Sequence, residues 1–510
     1  MSHTQADPKN TFGSMLGSEV KLILDRVSDI IIGQCVESYI VGGLVRDALL
    51  GRDTADIDLA VAPDALEIAP RVAGALGGKY VLLDRENRIG RVILPDSEPA
   101  PCGRRWELDF STLAGDIEHD LARRDFTINA MAVDLGQLRQ GPAVALIIDP
   151  FYGQEDLKQG VIRAVNESSL PADAVRLLRA VRLVAELGFS IDPETEAQIR
   201  HHSSLITTIA GERIKEELLR LLAFPGNERI LTYLDDLGLL TEILPPLAAA
   251  KGIEQPKEHF WDVFEHSLKT VTAVDFLLRQ GRWEYADGEV IAAVPWSATL
   301  AGHFAQEVSG GSTRRTLLKL AALLHDVAKP QTKSIEAGGR VRFLGHALDG
   351  ASIAAGLLAK LRFSAREIKL VETLIQHHLR PGQMSQGQLP THRAIYRYFR
   401  DSGDAGIDTL FLSLADHLAA RGPGLDLSHW QEHARTVEYV LSRRFEQESI
   451  VHPPKLVDGH DLINIFDINP GPEIGVALEA VREAQASGEV TTREEALKYI
   501  EKLLEETAGK

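Results

Sequence analysis

The sequence predicts an α/β domain at the N-terminus followed by a long all-α region. Short β-rich runs at residues 92–95, 106–110 and 145–150 alternate with helical patterns in the first part of the chain. From Asp173 onward, apolar residues recur almost throughout at spacings of three and four, which is typical of packed helices. A chain of 510 residues is long enough for three or four domains.

Composition excludes several classes of protein. The chain is 44% hydrophobic and 25% charged, which is typical of a globular protein with its own cores. No apolar run approaches the roughly 18 residues that a membrane span needs. The net charge of −18 excludes a protein that coats nucleic acid through bulk positive charge, so a polyanion would need a local basic patch. The polar first ten residues and the two cysteines, Cys35 and Cys102, favour a reducing cytoplasm.

Turn-forming residues divide the chain. Glycine and proline near residues 225–226, 310–312, 422–424 and 453–454 mark the expected breaks. We predict four regions, namely the α/β head, a helical neck, a larger helical region and a helical tail, at residues 1–160, 161–225, 226–430 and 431–510.

A glycine pair opens the first motif, which reads YIVGGLVRDALLGRDTADIDLAV at residues 39–61. An apolar strand pattern leads into Gly42 and Gly43, and a helix pattern that carries Arg46 follows. Backbone N–H groups and a helix N-terminus would then face one point, an arrangement that suits phosphate groups. We predict that these three residues help to bind a triphosphate.

Two aspartates follow in an apolar strand pattern. The strand period of two turns Asp56 and Asp58 to one side and sends Ile57 to the core. Carboxylates that converge in this way repel each other unless a divalent cation lies between them. Asp109, in the alternating strand WELDF, is a candidate third ligand. An Asp-x-Asp sequence alone is more typical of a turn or a solvated strand edge, but the preceding glycine motif favours a two-metal nucleotidyl-transfer centre that uses Mg²⁺.

These residues resemble the tRNA nucleotidyltransferases and bacterial poly(A) polymerases, the class II branch of the polymerase β-like superfamily. Three further motifs agree with this family, at residues 120–134 (DLARRDFTINAMAVD), 149–165 (DPFYGQEDLKQGVIRAV) and 171–189 (PADAVRLLRAVRLVAELGF). The tail at residues 458–497 is also similar to that of bacterial members. The resemblance covers most of the chain and implies a polymerase β-like head.

The resemblance also implies site residues. Asp56 and Asp58 would be the catalytic metal ligands, with Asp109 beside them. The sugar and phosphates of the incoming nucleotide would be contacted by Arg123, Arg124, Asp125 and Asn129.

Family members select CTP or ATP through the motif Glu-Asp-x-x-Arg. Asp173 and Arg176 match the selecting pair, while Ala172 replaces the glutamate. Arg179 and Arg182 continue from Arg176 at helical spacing and are predicted to contact RNA; salt bridges to neighbouring acids are the alternative for both.

The end product depends on one short connection. Only residues 113–119 separate Thr112, at the end of the Asp109 strand, from Asp120. Relatives that add all of CCA carry a longer flexible loop here, and CC-adding members lack it. We therefore predict efficient incorporation of CTP, with the terminal A added weakly or by a separate enzyme.

A second constellation is rich in histidine. Eleven of the 17 histidines lie between His259 and His433. Apolar helical patterns carry a histidine, a His-Asp pair, a further histidine, the pair His377 and His378, and an aspartate. The predicted metal ligands among them are His266, His325, Asp326, His346 and Asp416.

Together with Lys329, this order resembles the HD family of metal-dependent phosphohydrolases. Similar domains in some bacterial relatives act on 2′,3′-cyclic phosphates and phosphomonoesters. The resemblance implies a divalent ion such as Mg²⁺, Mn²⁺, Ni²⁺ or Co²⁺. A fold that retains these residues only for packing is the alternative.

The predicted function is template-independent addition of C, and of A to a lesser extent, to tRNA 3′ ends. The predicted partners are tRNA, CTP and ATP, and no membrane. The alternatives are a poly(A) polymerase, a phosphohydrolase with an inherited head, and a non-catalytic RNA-binding protein. Asp56 and Asp58 argue against the last.

Overall fold

A computed structural model describes residues 12–32, 36–95, 105–140, 146–384, 388–446, 451 and 453–508. The chain divides into two compact units, Met1–Thr208 and Ile209–Lys510, which are described separately. Cys35 and Cys102 lie outside the described residues. Within the described ranges, no helix combines the length and apolarity that a bilayer span requires.

The first unit is built on a mixed seven-stranded sheet with the order β3-β4-β5-β2-β1-β6-β7. β2 and β5 run parallel, and the other neighbouring strands run antiparallel. A separate parallel pair, β8 and β9, follows within the predicted helical neck. The strands of this unit are β1 Ser38–Val41, β2 Asp56–Val61, β3 Lys79–Asp84, β4 Ile89–Ile93, β5 Glu107–Thr112, β6 Ala132–Asp134, β7 Ile147–Ile148, β8 Val161–Ile162 and β9 Ser190–Ile191.

Its helices cover the sheet and continue beyond it. They are α1 Phe12–Met15, α2 Ser18–Ile32, α3 Gly43–Leu49, α4 Ala65–Leu76, α5 Ile117–Ala122, α6 Leu135–Gln140, α7 Gly153–Gln159, α8 Ser169–Ala172, α9 Val175–Leu187 and α10 Pro193–His202, with 3-10 turns at Thr127–Asn129 and Ser203–Thr208.

The two faces of the central strands differ in chemistry. Ile57 and Leu59 of β2 and Leu108 and Phe110 of β5 are fully buried on the face that α4 covers. The strand period of two then places Asp56, Asp58 and Asp109 on the opposite face. The hydrophobic alternation thus fixes the orientation of the carboxylates, as predicted.

The second unit is mainly helical. Its centre is formed by α15, α18, α21 and α24, which pack against one another. Two hairpins interrupt the helices, β10 Glu307–Ser309 with β11 Ser312–Thr313, and β12 Lys333–Ile335 with β13 Val341–Phe343.

The helices of the second unit are α11 Gly211–Ala223, α12 Asn227–Asp236, α13 Leu239–Ile243, α14 Pro246–Ala250, α15 Val263–Leu277, α16 Gly288–Ala292, α17 Ala298–Ala305, α18 Arg314–Leu324, α19 Lys329–Thr332, α20 His346–Lys360, α21 Ala365–His377, α22 Arg380–Met384, α23 His392–Ser402, α24 Gly406–Arg421, α25 Leu427–Glu446, α26 Gly459–Phe466, α27 Pro472–Ala486 and α28 Arg493–Ala508, with 3-10 turns at Gly403–Ala405 and Gly422–Gly424.

A buried lysine ties α11 to the helices that follow it. Lys319, fully buried on α18, forms an ion pair with Asp275 of α15 and donates to the carbonyl oxygens of Leu222 and Phe224 at 3.0 and 2.9 Å. It also donates to Asn227 at 2.7 Å. These bonds satisfy carbonyl groups that the end of α11 leaves without helical partners.

The last three helices form their own apolar cluster, centred on Leu462, Val481, Ala496 and Ile500. Ion pairs join this cluster to the preceding helices. Arg397 and Arg400 of α23 bind Glu483 of α27 at 2.7 and 3.2 Å, and Arg393 binds Glu489 at 2.9 Å. These groups are partly or largely exposed.

The predicted order of an α/β head and a helical remainder is confirmed. The expected breaks at 225–226 and 453–454 lie between helices, whereas 310–312 is a hairpin turn that reaches the start of β11 and 422–424 is a 3-10 turn. The boundary placed at residues 430/431 falls inside α25, which is continuous from Leu427 to Glu446.

Candidate functional site

The first candidate site lies in the first unit, on the face of the sheet opposite to the one that α4 covers. Asp58 pairs directly with Asp109 across the parallel strands β2 and β5, and Asp56 lies two residues earlier on the same face. Burial raises the pKa of Asp58 to about 6; the charges of Asp109 and Asp56 add to this effect and Arg124 opposes it. An ionised Asp58 is therefore costly without a cation, which fits a metal ligand.

Asp109 has a partner that the sequence did not indicate. Arg91 of β4 lies opposite it in register and donates to its two carboxylate oxygens at 2.7 and 2.8 Å. Arg91 also forms an ion pair with Glu107. Among the described residues, the head carboxylates form no group of three donors close enough to share one ion. Asp109 as a third ligand remains a prediction, and Asp56 and Asp58 are the better candidates.

The glycine pair brings the backbone against Asp58. Gly42 adopts a φ of 70°, and a Cβ there would lie 3.0 Å from both Asp58 Oδ2 and a terminal guanidinium nitrogen of Arg124. Only glycine combines this backbone conformation with so close an approach. Gly43, the first residue of α3, donates its backbone N–H to Asp58. The pair therefore holds a carboxylate next to the expected phosphate site.

Arg46 lies within a buried polar network. It is bound by Asp47 at 2.9 and 3.0 Å and donates to Asn129 Oδ1 at 2.8 Å. Asn129 in turn donates to Asp125 at 3.1 Å. Although burial alone would raise it, the pKa of Asp125 is lowered by Arg179 and by the hydrogen bond from Asn129.

Arg176 is tied to the Arg-Arg-Asp segment that precedes it. Its guanidinium donates to the carbonyl oxygens of Arg123 at 2.8 Å, Arg124 at 3.3 Å and Ser169 at 2.8 Å. Asp173 lies just before α9, on which Arg176 is carried. The structure thus brings the predicted base-reading pair next to the predicted phosphate-reading segment.

The basic stripe on α9 is paired with acids. Arg179 forms an ion pair with Asp125 at 3.1 Å, and Arg182 with Glu186 at 3.0 Å. This geometry agrees with the salt-bridge alternative, and RNA contact by either residue remains a prediction.

The short connection after β5 is a packed turn. Asp116 caps α5 by accepting from the backbone N–H of His119 at 2.8 Å. Leu113, Ile117 and Leu121 join an apolar cluster with Val41 and Ala60 of the sheet. The last three of the seven residues of this connection are therefore the start of a helix that lies against the sheet.

The second candidate site is a cluster of histidines and aspartates in the second unit. His266 Nε2 lies 3.0 Å from Asp416 Oδ1 and 3.2 Å from His325 Nε2. Asp326 lies 3.2 Å from His325 and 3.4 Å from both His266 and His346. All five predicted ligands therefore meet at one place.

Three histidines of this cluster share an orientation. The Nδ1–H groups of His325, His346 and His378 donate to backbone carbonyls three residues earlier, at 2.8, 2.6 and 2.7 Å. This fixes the ring and turns Nε2 inward, the arrangement found in metal-binding histidines. His346 Nε2 and Asp326 Oδ1 are buried and have no hydrogen-bond partner, whereas Asp326 Oδ2 is paired with Lys329. These donors fit a divalent cation.

The pKa values of the cluster residues also fit a site for a divalent cation. Although burial opposes it, the charge of Asp326 raises the pKa of His325 to about 10. The pKa values of Asp326 and Asp416 lie well below their usual range, against the effect of burial, because of the neighbouring histidines. The two carboxylates therefore stabilise the protonated form of His325. A bound metal ion would supply positive charge to the same carboxylate oxygens in place of that proton. Lys329 Nζ lies 2.6 Å from Asp326.

The predicted set of ligands left out two donors of this cluster. His378 belongs to two of the groups that could hold an ion, and His259 to one. His378 is buried, while its neighbour His377 is half-buried outside the cluster. His259 precedes α15 in a loop, where helical spacing gives no signal.

Known protein families match the regions of the chain that carry the two candidate sites. Three family models match, described as the poly A polymerase head domain at residues 38–163, a probable RNA and SrmB binding site of polymerase A at 188–251, and the HD domain at 296–421. His266 precedes the last of these matches.

Two relatives that match nearly the whole chain are named for the addition of a single type of nucleotide. The A-adding tRNA nucleotidyltransferase of Deinococcus radiodurans is 34% identical over 92% of this chain and 96% of that enzyme. The CC-adding tRNA nucleotidyltransferase of Thermus thermophilus is 34% identical over 91% of this chain and 93% of that enzyme. The CCA-adding enzyme of Geobacillus stearothermophilus is 36% identical over 47% of this chain and 61% of that enzyme.

Solved structures share the fold. A CCA-adding enzyme in complex with CTP has a TM-score of 0.62 and 20% identity, with 98% of this chain and 99% of that chain covered. The Thermotoga maritima CCA-adding enzyme complexed with tRNA has a TM-score of 0.58 at the same identity and coverage. From its sequence, its sites and its full-length relatives, the chain belongs to the tRNA nucleotidyltransferase family and carries an HD domain.

Proposed function

We propose that this enzyme adds C residues to tRNA 3′ ends without a template, and adds the terminal A only weakly. The observation that carries this proposal is the packed turn between β5 and α5, where a capped helix begins at Ile117. A long mobile element cannot form in a connection of seven residues, of which Leu113 and Ile117 are buried in the apolar cluster. The CC-adding relative from Thermus thermophilus supports C addition.

Asp56 and Asp58 would hold Mg²⁺, which when bound stabilises charge around the α-phosphorus. The chain's own residues supply the remaining interactions. The Gly43 N–H fixes the Asp58 carboxylate, and Arg124 beside Gly42 brings positive charge toward the phosphates. Arg46 positions Asn129 for the sugar.

Base choice would depend on Asp173 and Arg176, which offer an acceptor and donors to the Watson–Crick edge. The three carbonyl bonds of Arg176 fix its guanidinium relative to Arg123 and Arg124. The selected base and the bound phosphates would therefore be positioned by one connected segment. Arg179 and Arg182 would contact RNA only by exchanging their acidic partners for phosphates. A tRNA substrate and free CTP and ATP are consistent with a cytoplasmic enzyme.

Three tRNA substrates test this function, ending before CCA, after C and after CC, each supplied with labelled CTP or ATP. We expect rapid incorporation of CTP into the first two and slow addition of A to the third. Rapid single-A addition to the third alone would make the chain an A-adding enzyme, as the relative from Deinococcus radiodurans is by name. Rapid completion of all three would make it a CCA-adding enzyme, and a long A tail would make it a poly(A) polymerase.

The cluster of five predicted ligands supports a second function, hydrolysis of phosphate esters in the HD domain. The inward Nε2 atoms and the carboxylate oxygens of Asp326 would hold Mg²⁺, Mn²⁺, Ni²⁺ or Co²⁺, which supplies an activated water when bound. Lys329, which also donates to Gln255 at 2.6 Å, brings a positive charge to the same place for a phosphate group.

Replacing His325 and Asp326 together by alanine tests the HD function. We expect the variant to lose metal-stimulated phosphatase activity and to retain CTP incorporation, because the two sites belong to separate units. His429→Ala is the matched control, since this histidine is exposed and lies outside the groups that could hold an ion. Phosphatase activity that survives in the double variant would contradict the proposal.

A further inference from the structure

A cavity of about 810 Å³ surrounds the HD cluster and extends beyond the ligands. Part of its lining comes from Ser413 and His417, which lie one turn apart on α24, and from His433 of α25. We name these three residues the α24–α25 wall. None of them belongs to the groups of described residues that could hold an ion. Because Asp416 adjoins His417 on the same helix, the wall borders the metal ligands.

The wall is a built polar surface. Ser413 Oγ and His433 Nε2 lie 3.2 Å apart, and both residues are at most 5% exposed. The rings of His417 and His433 stack with centroids 5.4 Å apart. His417 Nε2 is buried and has no hydrogen-bond partner in the structure. A buried polar atom without a partner is costly, so a ligand that bonds to it would be favoured.

The wall differs in charge from the basic residues of the cavity lining. Lys329 of α19, Arg342 of β13 and Arg340, which precedes β13, line the cavity and suit phosphate oxygens, which only accept hydrogen bonds. Burial lowers the pKa of His433 to about 4, so its ring is neutral at physiological pH. A neutral imidazole and a serine hydroxyl each donate and accept, as the hydroxyl groups of a sugar do.

We propose that the α24–α25 wall binds the sugar hydroxyl groups of a nucleoside phosphate whose phosphate group lies at the HD metal cluster. The wall then determines specificity, because it favours esters of hydroxyl-bearing alcohols over simple phosphomonoesters. A cavity of about 810 Å³ has room for a nucleoside beside the phosphate. This inference rests on the phosphohydrolase function proposed above.

Ser413→Ala tests the wall with two substrates of the Mn²⁺-loaded full-length enzyme. We expect the KM for adenosine 3′-monophosphate to rise roughly 2- to 12-fold, the loss of one neutral hydrogen bond. The KM for p-nitrophenyl phosphate, which has no sugar, should change less than about 2-fold. His417→Gln keeps an amide N–H donor, so it should raise the KM for adenosine 3′-monophosphate less than His417→Ala does. Ser402→Ala is the matched control, a buried serine outside the cavity lining.

Equal changes for both substrates, or none, would overturn the inference while leaving the phosphohydrolase function intact. If the unmodified enzyme hydrolyses neither substrate, that function fails, and calorimetric binding decides the inference separately. Weaker binding of adenosine 3′-monophosphate to Ser413→Ala, with inorganic phosphate unchanged, would support it. Identical dissociation constants in the two proteins would overturn it. Any nucleotide that binds to the head contributes equally to the measurements on the unmodified enzyme and on Ser413→Ala.

Discussion

Asp58→Asn should stabilise the metal-free enzyme and at the same time abolish nucleotide addition. Burial, with the charges of Asp109 and Asp56, raises the pKa of this carboxyl to about 6 from its ordinary 3.8. A difference of about two pH units corresponds to roughly 3 kcal/mol of penalty on the ionised form. Asparagine has no charge to bury and escapes the penalty.

The pH dependence of this effect has a definite sign. Because the folded-state pKa lies above the unfolded one, folding favours the protonated carboxyl, and stability falls as the pH rises between the two values. The penalty is therefore absent near pH 4 and complete above about pH 7. Relative to the unmodified enzyme, the free energy of unfolding of the asparagine variant should be little changed near pH 4 and higher by up to about 3 kcal/mol above about pH 7.

Calorimetric unfolding of the full chain in a chelator measures the gain, which should raise the melting temperature by about 2–4 °C per kcal/mol. Excess Mg²⁺ should reduce the difference in melting temperature between the two proteins, because it stabilises only the unmodified enzyme, which binds it. CTP incorporation should fall about 10³-fold, equivalent to the several kcal/mol that a metal supplies. Asp25→Asn, at an exposed position on α2, should change neither quantity. A less stable Asp58→Asn enzyme at high pH without metal would refute the reasoning.

Three other substitutions are expected to change stability by amounts that the contacts define, each measured by urea unfolding. Gly153→Ala would place a Cβ 2.2 Å from the carbonyl oxygen of Thr127 and should cost more than about 2 kcal/mol, whereas Gly74→Ala, with nothing within 4 Å, should be neutral or stabilising; equal effects would contradict the steric argument. Lys319→Met would leave the buried Asp275 without its cation and should cost about 3–5 kcal/mol, and adding Asp275→Asn should recover part of that loss. No recovery would show that the carbonyl bonds of Lys319 dominate. Arg397→Ala removes an exposed ion pair and should cost less than about 1 kcal/mol, so a larger loss would mean that the pair is not solvent-screened.

Features set by local periodicity were predictable from the sequence. The alternation of apolar and acidic residues in β2 placed Asp56 and Asp58 on one face, and the order of histidines and aspartates along apolar helices predicted one metal cluster. Both are local patterns that packing converts into geometry.

The partners of the charged residues were not predictable, because they depend on non-local pairing. Arg91 meets Asp109 only because β4 lies beside β5, and Arg179 meets Asp125, which is 54 residues earlier in the chain. The choice of His378 over His377 depends on the end of α21, where the helical phase is poorly defined by the sequence. The stack of His417 on His433 needs two helices to be in register.

The ion pairs between α23 and α27 make the position of the C-terminal helices sensitive to ionic strength. Their charges are accessible to water, so salt screens them, and at about 1 M the screening length is near 3 Å. Binding of RNA phosphates weakens over the same range of salt because releasing condensed counterions into a more concentrated solution gains less free energy. A salt titration of tRNA binding to this enzyme would therefore combine two processes, loss of phosphate contacts and loosening of its last helices. Arg397→Gln removes one of these ion pairs and should therefore reduce the intramolecular part of the salt dependence.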